Sequence, residues 1–273
     1  MLKNEERAHH LVMVGSTGSL AFALLLWVQQ SDACTAYLAG KAATADGSVM
    51  VSHSDDGGGA SDPRLARIPA ADYPAGSLRP IWPDLEDYPR FVGTARGPTY
   101  APILGQSDTK PIGFIPQVAH THAYFESNYA IANECHLMFG ESTASAVFIA
   151  GIARGLPGGE ALFSVNELTR VAAERTCSAR EAITLMGSLA EQYGYYGADG
   201  GAGEVLMVAD REEGFVFHIL ADPAGKSAIW VAQRVPDDHV TVVANMFTIR
   251  EVAMFTILAA APTLHQPHPA QPA

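Results

Sequence analysis

Basic residues are scarce in this sequence. Lysine and arginine total 17 against 29 acidic residues, a formal net charge of -12, and no Lys/Arg-rich run occurs anywhere. That composition disfavours nucleic acid and anionic membrane surfaces as partners, because both are bound through clustered positive charge. Cysteine is nearly absent too: three residues are too few for a disulfide framework. No Asn-x-Ser/Thr sequon is present. The glycine cluster Gly200-Gly201-Ala202-Gly203 has no Lys-Ser/Thr after it, which excludes a phosphate-cradling loop. Long apolar runs are missing as well. Leu20 to Val28 is unbroken for only nine residues, and the wider stretch Leu11–Val28 is interrupted from Gly15 to Ser19, which makes it weak as a spanning helix.

What remains is a chain of 273 residues, 48% hydrophobic and 17% charged, a composition that builds a sizeable core. Residues 1–33 read as a targeting segment. Lys3 and Arg7 give a positive start diluted by Glu5 and Glu6, Leu20–Val28 is the size of an h-region, and Ser31-Asp32-Ala33 is a small-x-small cleavage pattern. Cleavage by signal peptidase implies a secreted protein or one in an endomembrane lumen; an uncleaved leader would act as a membrane anchor. A lipoprotein reading fits less well, with Ser31 where a lipobox has Leu.

The cut makes Cys34 residue one of the mature chain. An N-terminal cysteine carries an α-amine titrating near ~8 beside a thiol titrating near ~8.5. The amine can take the thiol's proton directly or through one water. Such a nucleophile with its own base is what an amide-bond hydrolase of the N-terminal-nucleophile type requires. Read without its surroundings, Cys34 fits a small buried cysteine at a strand start equally well.

Along the chain, Tyr37-Leu38-Ala39 and Ser48–Val51 are strand-compatible around the turn Thr44-Ala45-Asp46-Gly47. Residues 62–116 hold ten of the seventeen prolines and are expected to be mostly loop that lines a site or covers a face. Residues 128–140 fit a buried strand or hairpin. Two capping boxes, Ser164–Glu167 and Ser178–Glu181, each precede apolar residues at helical spacing and predict two helices. Glu204–Ala209 and Phe215–Leu220 predict a hairpin, followed by strands at Ala228–Val235 and Val240–Asn245. Strands, then helices, then antiparallel strands define an α+β layered domain. Met246-Phe247-Thr248-Ile249 recurs as Met254–Ile257 before a Pro/His/Gln/Ala tail, so residues 251–273 are expected to be a divergent, disordered end to a shortened domain.

Cys34-Thr35, Gly40–Ser48 and Ser54-Asp55-Asp56 together resemble the start of the C69 dipeptidases, cysteine N-terminal-nucleophile hydrolases with the secernins as relatives. The likeness continues in order through Asn133-Glu134, Gly140–Thr143, Ala179–Ile183, Tyr193–Gly197, Gly203-Glu204, Trp230–Ala232, Arg234–Val240 and Ala244-Asn245, spanning about 34–250. The resemblance implies an αββα sandwich, two antiparallel sheets between helical layers, here incomplete at the C-terminus. It makes Cys34 the nucleophile, Asp56 the carboxylate that orients the free amine or binds a substrate amine, Asn133 the oxyanion donor and Asn245 a second asparagine fixing the N-terminal amine. Removing one oxyanion donor costs about 10²–10³ in rate. His53 stands where many relatives carry Arg; with Asp55 it is assigned to substrate binding. Arg250 is the nearest candidate for a further site arginine, with a poor match around it.

The activity implied is a cysteine-type dipeptidase whose small peptide substrate needs an anion for its amine, from Asp56 or the acidic proline-rich region. Acylase action on a non-peptide amide and a non-catalytic secernin-like protein are the alternatives. Without the resemblance, Asp55-Asp56 also fits plain turn chemistry, and Asn133 fits a residue that satisfies backbone groups at a strand bend. No cofactor is implied. His120 and His122 share a strand face, but no third ligand stands at suitable spacing, so no metal is assigned. Cys135 and Cys177 could pair in an oxidising compartment.

Overall fold

The computed structural model describes residues 34–56, 60–146, 151–197 and 203–252. The leader, the run Gly57–Gly59, the glycines Gly200 and Gly201, and the second copy of the repeated tetrapeptide lie outside the described residues.

Two antiparallel sheets stack face to face. The smaller has β1 (Thr35–Ala39) at its centre, flanked by β2 (Met50–Ser54) and β14 (Val240–Ala244). The larger has the spatial order β13 (Ala228–Val235), β12 (Gly214–Ala221), β11 (Gly203–Ala209), β10 (Met138–Ala144), β9 (Ala130–Asn133), β8 (Tyr124–Glu126) and β3 (Ala66–Ile68). Alternation sends Ala36, Leu38 and Val243 inward from the small sheet, where they meet Val205, Met207, Ala209 and Val216. Two glycines permit the close approach of the sheets. A Cβ on Gly214 would stand 2.5 Å from Leu38 Cδ1, and one on Gly140 would stand 2.9 Å from Val51 Cγ1.

The opposite face of the large sheet carries Leu206, Val208, Phe215, Phe217 and Ile219 against α1 (Val165–Arg175) and α2 (Ala179–Tyr193). Both capping boxes form: Ser164 accepts from Glu167 N–H and Ser178 from Glu181 N–H. Strand β11 is buried at every position because both faces of its sheet are covered. The predicted α+β class is therefore observed, as two stacked antiparallel sheets and one helical layer. The second helical layer expected of an αββα sandwich is not present among the described residues. Tyr37 and Val242 on the outer face of the small sheet are 47% and 49% exposed. Among the described residues no helix is long and apolar enough to cross a membrane.

The proline-rich segment departs from the expected loop. It contains β3, a pair formed by β4 (Ala71–Asp72) and β7 (His120–Thr121), and a pair formed by β5 (Leu78–Ile81) and β6 (Gly113–Pro116). Two-stranded ribbons tolerate Pro80 and Pro116 because one edge of each strand needs no ladder donor. Charges bind this segment to α1. Buried Arg79 pairs with Glu167 and Glu174, buried Arg96 pairs with Glu126, and Arg170 bridges Glu126 and Glu167. Each carboxylate is compensated, so removing one arginine would leave an unpaired buried charge at a cost of about 3–5 kcal/mol.

Candidate active site

Cys34 sits immediately before β1, at the seam between the sheets. Its carbonyl accepts from Ser142 Oγ of β10 at 3.2 Å, and the next residue, Thr35, donates its N–H to Ser54 Oγ at 3.2 Å. The thiol is buried. Its sulfur lies 4.0 Å from Asp55 Oδ1, and Asp55 Oδ2 accepts from Asn128 Nδ2 at 2.9 Å. Burial first, and the Glu141 charge second, push the Cys34 thiol up to about 12; the backbone N–H groups of Asp56 and Thr143 oppose that shift. Two backbone donors thus already point at the sulfur.

Asn245 follows β14 in the left-handed region, φ 50°, a conformation that asparagine tolerates better than most residues. Its N–H donates to Ser142 Oγ at 2.8 Å and its Nδ2 donates to the Thr143 carbonyl at 2.8 Å. Its Oδ1 is buried with no hydrogen-bond partner among the described residues. Ser142 therefore ties Cys34 and Asn245 to one hydroxyl. Sequence reasoning gave Ser142 no role; its only signal was a place inside Gly140–Thr143.

His53 points inward from β2, paired in register with Ala36. Burial holds its pKa below the ordinary histidine range, with Asp55 opposing. Its ring meets Tyr129 edge-on at 6.1 Å, and its Nδ1 is buried without a hydrogen-bond partner among the described residues. A neutral imidazole here brings no positive charge to the thiol. The Asp56 side chain is exposed, so its backbone N–H is the group facing the sulfur.

Asn133 is not brought to Cys34. Its Nδ2 donates to the carbonyls of Ala173 and Thr176 at 3.0 and 2.8 Å, while its Oδ1 accepts from the N–H groups of Cys135 and Leu137, both at 3.0 Å. Along β10, the Asn133 end and Ser142 are about four residues apart, roughly 13 Å at strand rise. The oxyanion role expected of Asn133 is corrected on both grounds: its amide is fully engaged, and it lies at the far end of the strand. Arg250 is exposed.

Two fully buried carboxyls, Glu141 on β10 and Glu204 on β11, interact electrostatically with Cys34. Burial raises both pKa values, and each carboxyl interacts with the other. Among the described residues neither oxygen of Glu204 has a hydrogen-bond partner, nor does Glu141 Oε2, and the raised pKa values favour the protonated form. The charges of Asp84 and Cys34 also act on Glu204. Asp84 lines a cavity of about 860 Å³ with Glu86, Asp87, Arg154 and Tyr196. Cys34, Asp55 and Asn245 are not among the residues lining this cavity.

Comparison with known proteins finds a likeness over part of the chain, to a family of peptidases. The matching model is that of Peptidase family C69, over residues 126–257, so the resemblance to this family is shown across β8 to β14. Cys34 precedes the matched stretch. No curated protein matches the chain.

Proposed function

We propose that this protein is a cysteine-type dipeptidase whose nucleophile is Cys34, made N-terminal by removal of residues 1–33. The observation that carries the reading is the seat of the thiol. Cys34 is the one described cysteine outside a disulfide, and two backbone N–H groups point at its sulfur. A thiol titrating near about 12 is not a nucleophile at neutral pH while its nitrogen is a peptide amide. Freeing that nitrogen adds a base beside the sulfur and, when protonated, a positive charge that favours thiolate.

In the proposed reaction the thiolate attacks the scissile carbonyl. The carbonyl oxygen takes the negative charge and is stabilised by backbone donors at the seam. The Cys34 ammonium gives a proton to the leaving amine, which departs and leaves a thioester. Water, deprotonated by the same amine, attacks the thioester and releases the acid and the thiol. The unpartnered Asn245 Oδ1 offers an acceptor for that amine. Asp55, whose Oδ1 lies 4.0 Å from the sulfur, supplies an anion for the substrate's ammonium.

The test combines the mature N-terminus by mass spectrometry with dipeptide hydrolysis. A start at Cys34, and a loss of about 10³-fold or more in Cys34→Ala, are expected. Full activity in Cys34→Ala, or in a chain that keeps its leader, would overturn the reading.

A further inference from the structure

A second cluster of reactive side chains lies far along the large sheet from Cys34. His122 stands between β7 and β8, its N–H donating to the Glu174 carbonyl at 2.9 Å. Cys135 lies in the β9–β10 turn, and Cys177 lies between α1 and α2. The two cysteines form a disulfide, with Cα atoms 5.1 Å apart and a sequence separation of 42. Cys177 Sγ is 3.3 Å from His122 Nε2. The potential ligand atoms of His122, Cys135 and Cys177 all lie within 4.8 Å of one another.

We infer that the reduced chain holds a divalent metal ion of the zinc type on Cys135 Sγ, Cys177 Sγ and His122 Nε2. Two thiolates and an imidazole are the donor set that zinc prefers. The imidazole is already oriented for the task. Glu134 Oε1 lies 3.4 Å from His122 Nδ1 and is itself fixed by the Ala123 N–H at 3.0 Å. A carboxylate on Nδ1 keeps the proton there and turns the Nε2 lone pair toward the sulfurs, the arrangement that supports ligating histidines. Cys177 is exposed, which leaves the fourth coordination position open to water.

Asn133 gains a function in this arrangement. Its Oδ1 holds the Cys135 N–H, while its Nδ2 holds the Thr176 carbonyl next to Cys177. One amide therefore sets the spacing of the two sulfurs, making Asn133 a positioning residue of this cluster. His120 lies outside the proposed ligand set; its Nδ1 is 2.7 Å from Asp72 Oδ1. Sequence spacing supplied no third ligand for the histidine pair because the cysteines arrive from two distant connections.

The site is closed while the disulfide stands. A dithiol reductant opens it by giving two electrons and two protons to the sulfur–sulfur bond and becoming a disulfide itself. The metal ion then replaces the two thiol protons, which pass to solvent. A disulfide oxidant of the same class reverses the exchange and expels the metal. The proposed site is thus a redox-gated metal site, independent of the peptidase reading.

The test is a cobalt titration of the full chain carrying Cys34→Ala, which leaves only the two thiols in question. After anaerobic reduction, one equivalent of Co²⁺ should give thiolate-to-cobalt charge-transfer absorption that Zn²⁺ displaces. The oxidised chain should give none. His122→Ala should abolish tight binding, and Glu134→Gln should weaken it by about 10–100-fold. No charge transfer in the reduced chain, equal signal in the oxidised chain, or indifference to His122→Ala would each overturn the proposal. Circular dichroism follows the fold throughout, and a reduced chain that stays unfolded at saturating Zn²⁺ overturns it as well.

Discussion

The sulfur of Cys34 lies 4.0 Å from Oδ1 of Asp55, so the candidate nucleophile faces a carboxylate that opposes its ionisation. Asp55 is among the groups that raise the thiol, after burial and Glu141. A carboxylate in this position hinders thiolate formation but attracts a substrate ammonium. Replacing Asp55 by Asn separates the two effects. Because Asp55 is exposed and screened, alkylation of Cys34 by neutral iodoacetamide at fixed pH should accelerate by only about two- to fivefold. Hydrolysis of a dipeptide by the mature Asp55→Asn protein should fall, chiefly through a higher KM. Unchanged alkylation would remove Asp55 from the thiol's electrostatics; unchanged KM would remove it from substrate binding.

The leader controls the same sulfur. With Cys34 inside a peptide chain, burial and the Glu141 charge push its thiol up to about 12. A free α-ammonium beside the sulfur opposes that rise while burial persists, so the mature thiol should ionise at lower pH and be alkylated faster at neutral pH than the leader-bearing one. Alkylation rates of leader-bearing and mature protein, compared between pH 6 and 10, check this. Equal rates at pH 7.5 would mean that maturation does not activate the thiol.

The parts legible in advance were those encoded locally. Ser164 with Glu167 and Ser178 with Glu181 announced both helices, and the runs Glu204–Ala209 and Phe215–Leu220 announced the β11–β12 hairpin. Cys34 stood out through its neighbours in sequence. The pairing of β14 with β1 joins segments some two hundred residues apart, and no local pattern encodes it. Ser142 looked like any strand serine until Cys34 and Asn245 converged on it from the other sheet. Asn133 was misread because the resemblance gives a residue's position in a motif, whereas its hydrogen bonds depend on where α1 ends. The short strands near Pro80 and Pro116 escaped notice because ribbon edges accept proline, and helix α1 hid its buried charges because their partners come from the proline-rich segment.

Glu141 and Glu204 make stability depend on pH in a direction unusual for carboxyls. Their folded pKa values are raised, so the folded chain keeps a proton that the unfolded chain loses above about pH 4.3. The stability they contribute is present below that pH and is lost as pH rises toward the folded pKa, at up to about 1.4 kcal/mol per pH unit for one proton. Glu204→Gln keeps a donor toward Glu141 and cannot titrate. Its melting temperature should decline less than that of the parent between pH 5 and 8, and should exceed the parent's at pH 8. Parallel curves for the two proteins would show that no proton is held by these carboxyls.

His218 on β12 acts in the opposite direction. Burial lowers its pKa to about 4, and its Nε2 lies 3.3 Å from the Thr248 N–H, from which it accepts as a neutral ring. A folded pKa below the unfolded value of 6.5 means that its contribution is present above pH 6.5 and is lost as pH falls toward about 4. The full loss is about 3 kcal/mol, and each kcal/mol moves the melting temperature of a domain this size by roughly 2–4 °C. His218→Phe removes the titration and keeps a ring near Phe247, whose centroid lies 5.0 Å from that of His218. It gives up the bond from Thr248, so it should be less stable than the parent at pH 7 by about 1 kcal/mol. Between pH 6.5 and 4 its melting temperature should fall less than the parent's. Because the Glu204 and His218 contributions slope in opposite directions with pH, thermal melts of the two variants across pH 4–8 distinguish them. An acid limb in His218→Phe as steep as the parent's would assign acid sensitivity to other groups.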